Sequence, residues 1–358
     1  AAATVLAKND GGALPLDISP SVKSILVVGD AAHLAPVTGG TGSGRVTPAR
    51  VTTGLDAITA RAGGSSGVSV MYLPTPNNVT ANKALAAAVA LSDVVVVFAG
   101  IDSGEGSDRP SLALAPEEDA MVELVASAAG GTHSQAVRTI VVVASPGAVL
   151  TPWADDVDAV LFQLMPGQEY GSAAAEVLFG DVNPTARLPF TMPNQDNEVE
   201  FTETQFPGTG LVLTANYTEK LEIGYRWYDA HAVTPAFAFG HGLSYSSFSY
   251  SDLQITPTVV TMSITNNGPL PGADIPQLYL TFPSSAGEPP FQLKGFVKSS
   301  TLAVGATEAI SFTLNALSKS VWDAGVHEWV QVEGVFGISV GASSRDIRLI
   351  GSFENTNG

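Results

Sequence analysis

The chain has 358 residues, more than one ordinary hydrophobic core organises, and so points to two domains or slightly more. Apolar residues make up 45% and charged residues only 14%, which excludes a disordered chain. A formal net charge of −18 speaks against nucleic acid and anionic membrane as partners, and the lack of cysteine removes disulfides, thiolate catalysis and cysteine-held metals.

In chain order, the first half alternates strand and helix signals. Residues 25–29 read as a short buried strand, and 54–62 carry Leu55 and Ile58 at helical spacing. Residues 68–73 are strand-like and 81–91 form an alanine-rich helical stretch. The apolar run 94–99 predicts a buried strand, and Pro116 with two following acids predicts a helix over 116–129. Residues 139–144 and 159–164 are two more apolar strands, and 168–179 another helix. Apolar strands without alternation, separated by helices, predict a mostly parallel sheet with helices on both faces. In such sheets the working groups sit on loops past the carboxyl ends of the strands, and residues 100–109, GIDSGEGSDR, form one of those loops.

From residue 181 the rhythm is lost. Proline, asparagine and glycine crowd 181–197 and 207–210, which reads as a connector interrupted by the packed stretch around residues 223–229. Beyond 250 the period becomes two: Val260, Met262 and Ile264; Leu278 and Leu280; Ile310, Phe312 and Leu314; Phe336, Ile338 and Val340. Short alternating strands with turn residues between them predict an antiparallel β-sandwich. Trp322 and Trp329 fit its core as well as an exposed platform.

No apolar run reaches the roughly 20 residues that span a bilayer. The chain begins at Ala1 without a signal-peptide pattern, as expected of a mature, cleaved or truncated product. The sequons Asn78-Val79-Thr80 and Asn216-Tyr217-Thr218 make glycosylation at Asn78 and Asn216, and an extracellular location, the expectation.

Few residues offer chemistry. The glycine-rich stretch 39–44 lies past a strand but lacks the P-loop lysine and the spacing of a dinucleotide fingerprint, so it reads as a surface loop. His33, His133, His231, His241 and His327 are scattered without ligand spacing, so no metal and no cofactor are expected. Ser145 lacks the G-x-S-x-G elbow of serine hydrolases. Glu105 remains, flanked by two glycines that permit a tight turn and a close approach. A carboxyl aimed into a cleft is the usual acid/base for glycosidic bonds. On spacing alone the simpler alternative is a solvated loop acid beside an Asp108–Arg109 ion pair.

Residues 103–109, with Leu112 and Leu114, resemble the acid/base loop of glycoside hydrolase family 3, whose β-glucosidases read S-G-E-G-x-D-R. Residues 5–16 (VLAKNDGGALPL) are similar to the opening of that family's second domain, and 180–189 (GDVNPTARLP) to its exit. EIGYRWYDA and FAFGHGLSYSSFSYS resemble the stretch leading to the third domain. NNGPLPGADIPQLYL, EPPFQLKGF and VGASSRDIRL resemble its fibronectin type III-like domain. The blocks occur in family order over essentially the whole chain.

The resemblance implies an α/β sandwich over 1–195, a connector over 196–249 and a fibronectin type III-like sandwich over 250–358. It implies the C-terminal portion of a secreted retaining β-glucosidase acting on a β-glucoside or cello-oligosaccharide, with Glu105 as general acid/base. Asp108 and Arg109 would hold the loop's shape. Ser107 stands where many relatives carry an aromatic for the leaving-group sugar, which marks an altered aglycone subsite. The nucleophilic aspartate belongs to an N-terminal barrel that this chain does not include, so the chain alone is expected to be inactive. In the assembled enzyme, burial against that barrel and a neighbouring aspartate would raise the Glu105 pKa. The alternatives are a β-xylosidase of the same family and a non-catalytic glycan-binding or matrix protein that keeps the fold.

Overall fold

The structure, a computed structural model, describes all residues except 19–21, 64–66, 107, 132–136, 212–213 and 357–358. Ser107 and His133 therefore lie outside the described residues. Packing divides the chain into two compact units, 1–186 with 242–245, and 187–241 with 246–358.

The first unit is built on six strands: β1 (Thr4–Asn9), β2 (Ser24–Val28), β3 (Ser69–Leu73), β4 (Val94–Gly100), β5 (Arg138–Ser145) and β6 (Ala159–Leu164). They lie in the order β1-β6-β5-β4-β2-β3, parallel throughout except for β1, which runs antiparallel to β6. The four valines 94–97 and residues 140–143 are buried because both faces of the sheet are covered. The helices are α1 (Gly54–Ala62), α2 (Val79–Val89), α3 (Pro116–Ala129) and α4 (Tyr170–Leu178). α1 packs on α4 and α2 on α3. The strand order steps from β2 out to β3 and back past β2 to β4, and with the right-handed crossover general to parallel strands these steps put the two pairs on opposite faces. The expected α/β sandwich is thus present.

Local chemistry sets the helix ends. Thr53 and Asn78 cap α1 and α2 by accepting the N–H groups of Asp56 and Ala81. Pro116 opens α3 with Glu117, Glu118 and Asp119 in its first turn, where the helix dipole favours negative charge.

The second unit adds α5 (Tyr225–Ala230) and β7 (Phe248–Ile255), β8 (Val259–Asn266), β9 (Gln277–Thr281) and β10 (Gln292–Phe296). It continues through β11 (Thr307–Thr313), β12 (Ser320–Asp323), β13 (Glu328–Gln331), β14 (Gly334–Ser343) and β15 (Asp346–Asn355). A sheet of order β10-β9-β14-β15 faces a sheet of order β11-β8-β7, and β12 pairs with β13 as a separate hairpin. Every alternating residue expected inside, from Val260 to Val340, is buried in one core. The expected β-sandwich is thus present.

The expected boundary near 195 falls at 186/187 by packing. Residues 196–241, expected within a connector, belong to the second unit because aromatic contacts hold them there. The Tyr225 ring stacks on Phe239 with centroids 4.7 Å apart and meets the edge of Tyr279 at 6.0 Å. Its hydroxyl accepts the Leu293 N–H at 2.8 Å. Asp229 on α5 pairs with Arg345 at 2.8 Å.

Candidate active site

β2 and β4 are adjacent parallel strands, so the segments that follow them leave the same edge of the sheet side by side. The segment after β4 carries Glu105. The segment after β2 carries the glycine-rich stretch 39–44, which is the partner of the Glu105 loop and not an isolated surface loop. The Thr41 N–H donates to the Ser103 carbonyl at 3.0 Å, and Thr41 bridges Gly104 in parallel fashion. A Cβ on Gly104 would lie 1.8 Å from Thr41 Oγ1, and one on Gly42 would lie 2.5 Å from Glu105 Cβ. Only glycine allows the two loops this approach, and Gly42 also has φ +98°.

Ser43 completes the clasp. Its backbone N–H and its hydroxyl both donate to Glu105 Oε2, at 2.8 Å and 2.5 Å. Glu105 is exposed, and Ser43's hydroxyl, then its amide, hold the carboxyl below the usual glutamate range against slight burial. The raised pKa expected for the assembled enzyme is therefore not a property of this chain by itself, because hydrogen bonds to the charged form outweigh the small desolvation of an exposed group.

The far end of the loop is fixed separately. Arg109 Nη2 donates to the Ala148 carbonyl at 2.7 Å, and the Leu150 N–H donates to the Leu112 carbonyl at 3.0 Å. Arg109 thus ties the loop to the segment that follows β5. Asp108 is exposed, three residues from Glu105 on the same loop.

At the near end, Glu118 on α3 accepts the Gly100 N–H at 3.1 Å through Oε1. Burial, with repulsion from Glu117 and Asp119, pushes this carboxyl up to about 7. Ser43, Thr41 and Glu118 were not among the expected site residues. The order of β2 and β4 carried the signal for the first two, because loops after neighbouring parallel strands must meet.

The other expected residues lie elsewhere. Asn78 and Asn216 are exposed, and Asn78 keeps its Oδ1 on the Ala81 N–H at 2.9 Å while Nδ2 faces Asn77. Ser145 is buried and donates to the Gly147 carbonyl at 2.9 Å. No group of three or more acidic or histidine side chains gathers as a metal site among the described residues.

The chain spans about half the length of the curated relatives it matches. It is 33% identical to the probable β-glucosidase D of Aspergillus flavus, over 97% of this chain and 52% of that one. It is 35% identical to the probable β-glucosidase G of Aspergillus terreus, over 98% and 47%. Among solved structures it resembles the β-D-glucoside glucohydrolase of Trichoderma reesei, with TM-score 0.84, 33% identity, and 98% and 54% coverage. It also resembles a β-glucosidase of Streptomyces venezuelae in complex with D-glucose, with TM-score 0.88, 27% identity, and 98% and 58% coverage. Residues 274–344 match the fibronectin type III-like domain, and residues 4–245 match the glycosyl hydrolase family 3 C-terminal domain. The chain belongs to glycosyl hydrolase family 3.

Proposed function

We propose that the chain is the C-terminal portion of a secreted retaining β-glucosidase that removes terminal β-D-glucosyl residues from β-glucosides such as cello-oligosaccharides. The observation that carries this reading is an exposed carboxylate, Glu105, oriented by a purpose-shaped clasp on the carboxyl side of a parallel sheet. Retaining hydrolysis uses two carboxyl groups about 5 Å apart, and this chain supplies one. The nucleophile belongs to a barrel domain in the part of the relatives that the chain does not span.

Glu105 gives its proton to the glycosidic oxygen as the bond to the anomeric carbon breaks and the nucleophile bonds to that carbon. The carboxylate left behind then takes a proton from water as the water oxygen attacks the anomeric carbon and releases the nucleophile. Docking beside an ionised nucleophile raises the Glu105 pKa, so the proton needed for the first step is held only in the assembled site.

The two sequons, both at exposed asparagines, support the secretion part of this reading. Asn78 keeps its helix-capping oxygen when its nitrogen carries a glycan. A mass shift on glycosidase treatment of chain secreted from a eukaryotic host tests this.

For the enzyme reading, the chain is assayed on an aryl β-glucoside alone and after co-expression with the barrel portion. The chain alone should be silent, and the assembled protein should turn over with retained configuration. Inverted product, or turnover by the chain alone that Glu105→Gln abolishes, contradicts it.

A further inference from the structure

Both Ser43 bonds fall on one oxygen of Glu105, Oε2, while Oε1 accepts no hydrogen bond among the described residues. The carboxyl is therefore not a symmetric pair of oxygens on a free loop. One oxygen is committed to the glycine-rich stretch after β2, and the other is left without a hydrogen bond among the described residues on an exposed side chain. The loop containing Ser43 is in turn fixed on the acid loop by Thr41 and by the close approach at Gly42 and Gly104.

We propose that Ser43 is a positioning residue that assigns the two oxygens of Glu105 their tasks: Oε2 is the anchor, and Oε1 is the atom that exchanges the proton. Resting on Glu105 as the acid/base, this deepens that reading by naming the group that orients it. A serine hydroxyl suits the task because it still donates to Oε2 when the proton sits on Oε1, so the carboxyl need not turn between the two half-reactions. The two loops also carry Asp102, Asp108, Arg109 and Arg45. The lowered titration of Glu105 comes from Ser43's bonds rather than from those charges.

The test is made first on this chain, without relying on activity. The carboxyl carbon of Glu105 is followed by NMR through a pH titration, its resonance assigned by its loss in Glu105→Gln. The wild-type midpoint should lie below the ordinary glutamate range. Ser43→Ala should raise it toward that range, and Ser43→Thr, which keeps the hydroxyl, should leave it low. A Ser43→Ala midpoint equal to wild type, or a Ser43→Thr midpoint equal to that of Ser43→Ala, overturns the proposal. In the assembled enzyme, Ser43→Ala should lower kcat about tenfold with KM little changed, the loss expected when one charge-assisted bond that orients the acid is removed. If the titrations behave as stated but the assembled protein is silent with either residue at position 43, the enzyme reading fails while the clasp stands.

Discussion

The backbone N–H of Gly100 donates to Glu118 Oε1 at 3.1 Å, so the residue that ends β4 and starts the acid loop is held by the first turn of α3. The other oxygen of that carboxyl, Oε2, is buried and has no hydrogen-bond partner among the described residues. A neutral carboxyl suits this place better than a charged one, which is why burial moves its pKa from 4.5 to about 7.

The sign of the resulting pH dependence is fixed by that direction. The folded pKa lies above the unfolded one, so the stabilising contribution is fully present below 4.5 and is lost as pH rises through about 7. The full shift is reduced by solvent screening because Glu118 is only half-buried, leaving about 1–3 kcal/mol. Glu118→Gln keeps an acceptor for Gly100 and cannot ionise. In urea titrations it should match wild type near about pH 4 and exceed it by about 1–3 kcal/mol near about pH 8.5. Equal stability at the higher pH would show that Glu118 is solvated.

Gly104→Ala places a methyl group on Thr41 Oγ1 and should push the two loops apart. Overpacking of this kind costs about 1–3 kcal/mol where the surroundings cannot yield. Here the loops are exposed, so the expected effect is release of Glu105 from Ser43 with little change in Tm. The Glu105 resonance should then titrate in the ordinary glutamate range, and Thr41→Ala in the same chain should restore the lowered midpoint. A Glu105 midpoint that Gly104→Ala leaves low would mean that the loops absorb the methyl group.

Arg187 and Asp274 form an ion pair with side chains only 10% and 2% exposed. The Tyr250 hydroxyl and the Ile275 N–H also donate to Asp274, each at 2.8 Å. Removing the cation leaves a buried carboxylate, so Arg187→Met should destabilise the second unit by about 3–5 kcal/mol. Adding Asp274→Asn should recover part of that loss. The check is denaturation of the single and double variants, with additive losses as the contrary result.

Trp322 and Trp329 are 51% and 57% exposed and face each other across the hairpin β12–β13. Val321, on the opposite face of β12, is the residue that packs on the sandwich core, so the tryptophans point outward. Their rings meet at 70° with centroids 5.8 Å apart, an edge contact and not the shared plane that a flat sugar chain stacks on. The pair should stabilise the hairpin by about 0.5–1.5 kcal/mol, and the chain should migrate unretarded through a gel containing soluble β-glucan. Retardation that Trp322→Ala and Trp329→Ala both abolish would make the hairpin a glycan site.

What the sequence makes legible depends on how local the cause is. The valines of β4 and the alternation of β8 are signals within one element, and each is buried as its pattern implies. β1 ends in the polar pair Lys8 and Asn9, and nothing within its own residues announces an edge strand that pairs antiparallel with β6. The aromatic packing of Tyr225 joins residues far apart in the chain behind a stretch rich in proline and glycine. Glu105 stands out through its motif, whereas Ser43 lies 62 positions away and becomes its partner only because β2 lies beside β4. Glu118 looks like an ordinary acid in a helix's first turn, and its burial is set by the sheet beneath it.

The most direct test of Glu105 as the general acid/base is azide rescue in the assembled enzyme. Removal of the acid should cost about 10² to 10⁴ in rate on substrates with poor leaving groups, and less in the glycosylation step with activated aryl groups that need little protonation. Azide attacks the glycosyl-enzyme without needing a base, so it should restore turnover of Glu105→Ala on an activated aryl β-glucoside and yield a β-glycosyl azide. Asp108→Ala, whose lost carboxylate lies on the same loop, should show no such rescue. If azide rescues Asp108→Ala and leaves Glu105→Ala unchanged, Asp108 is the acid/base and the role given to Glu105 is wrong.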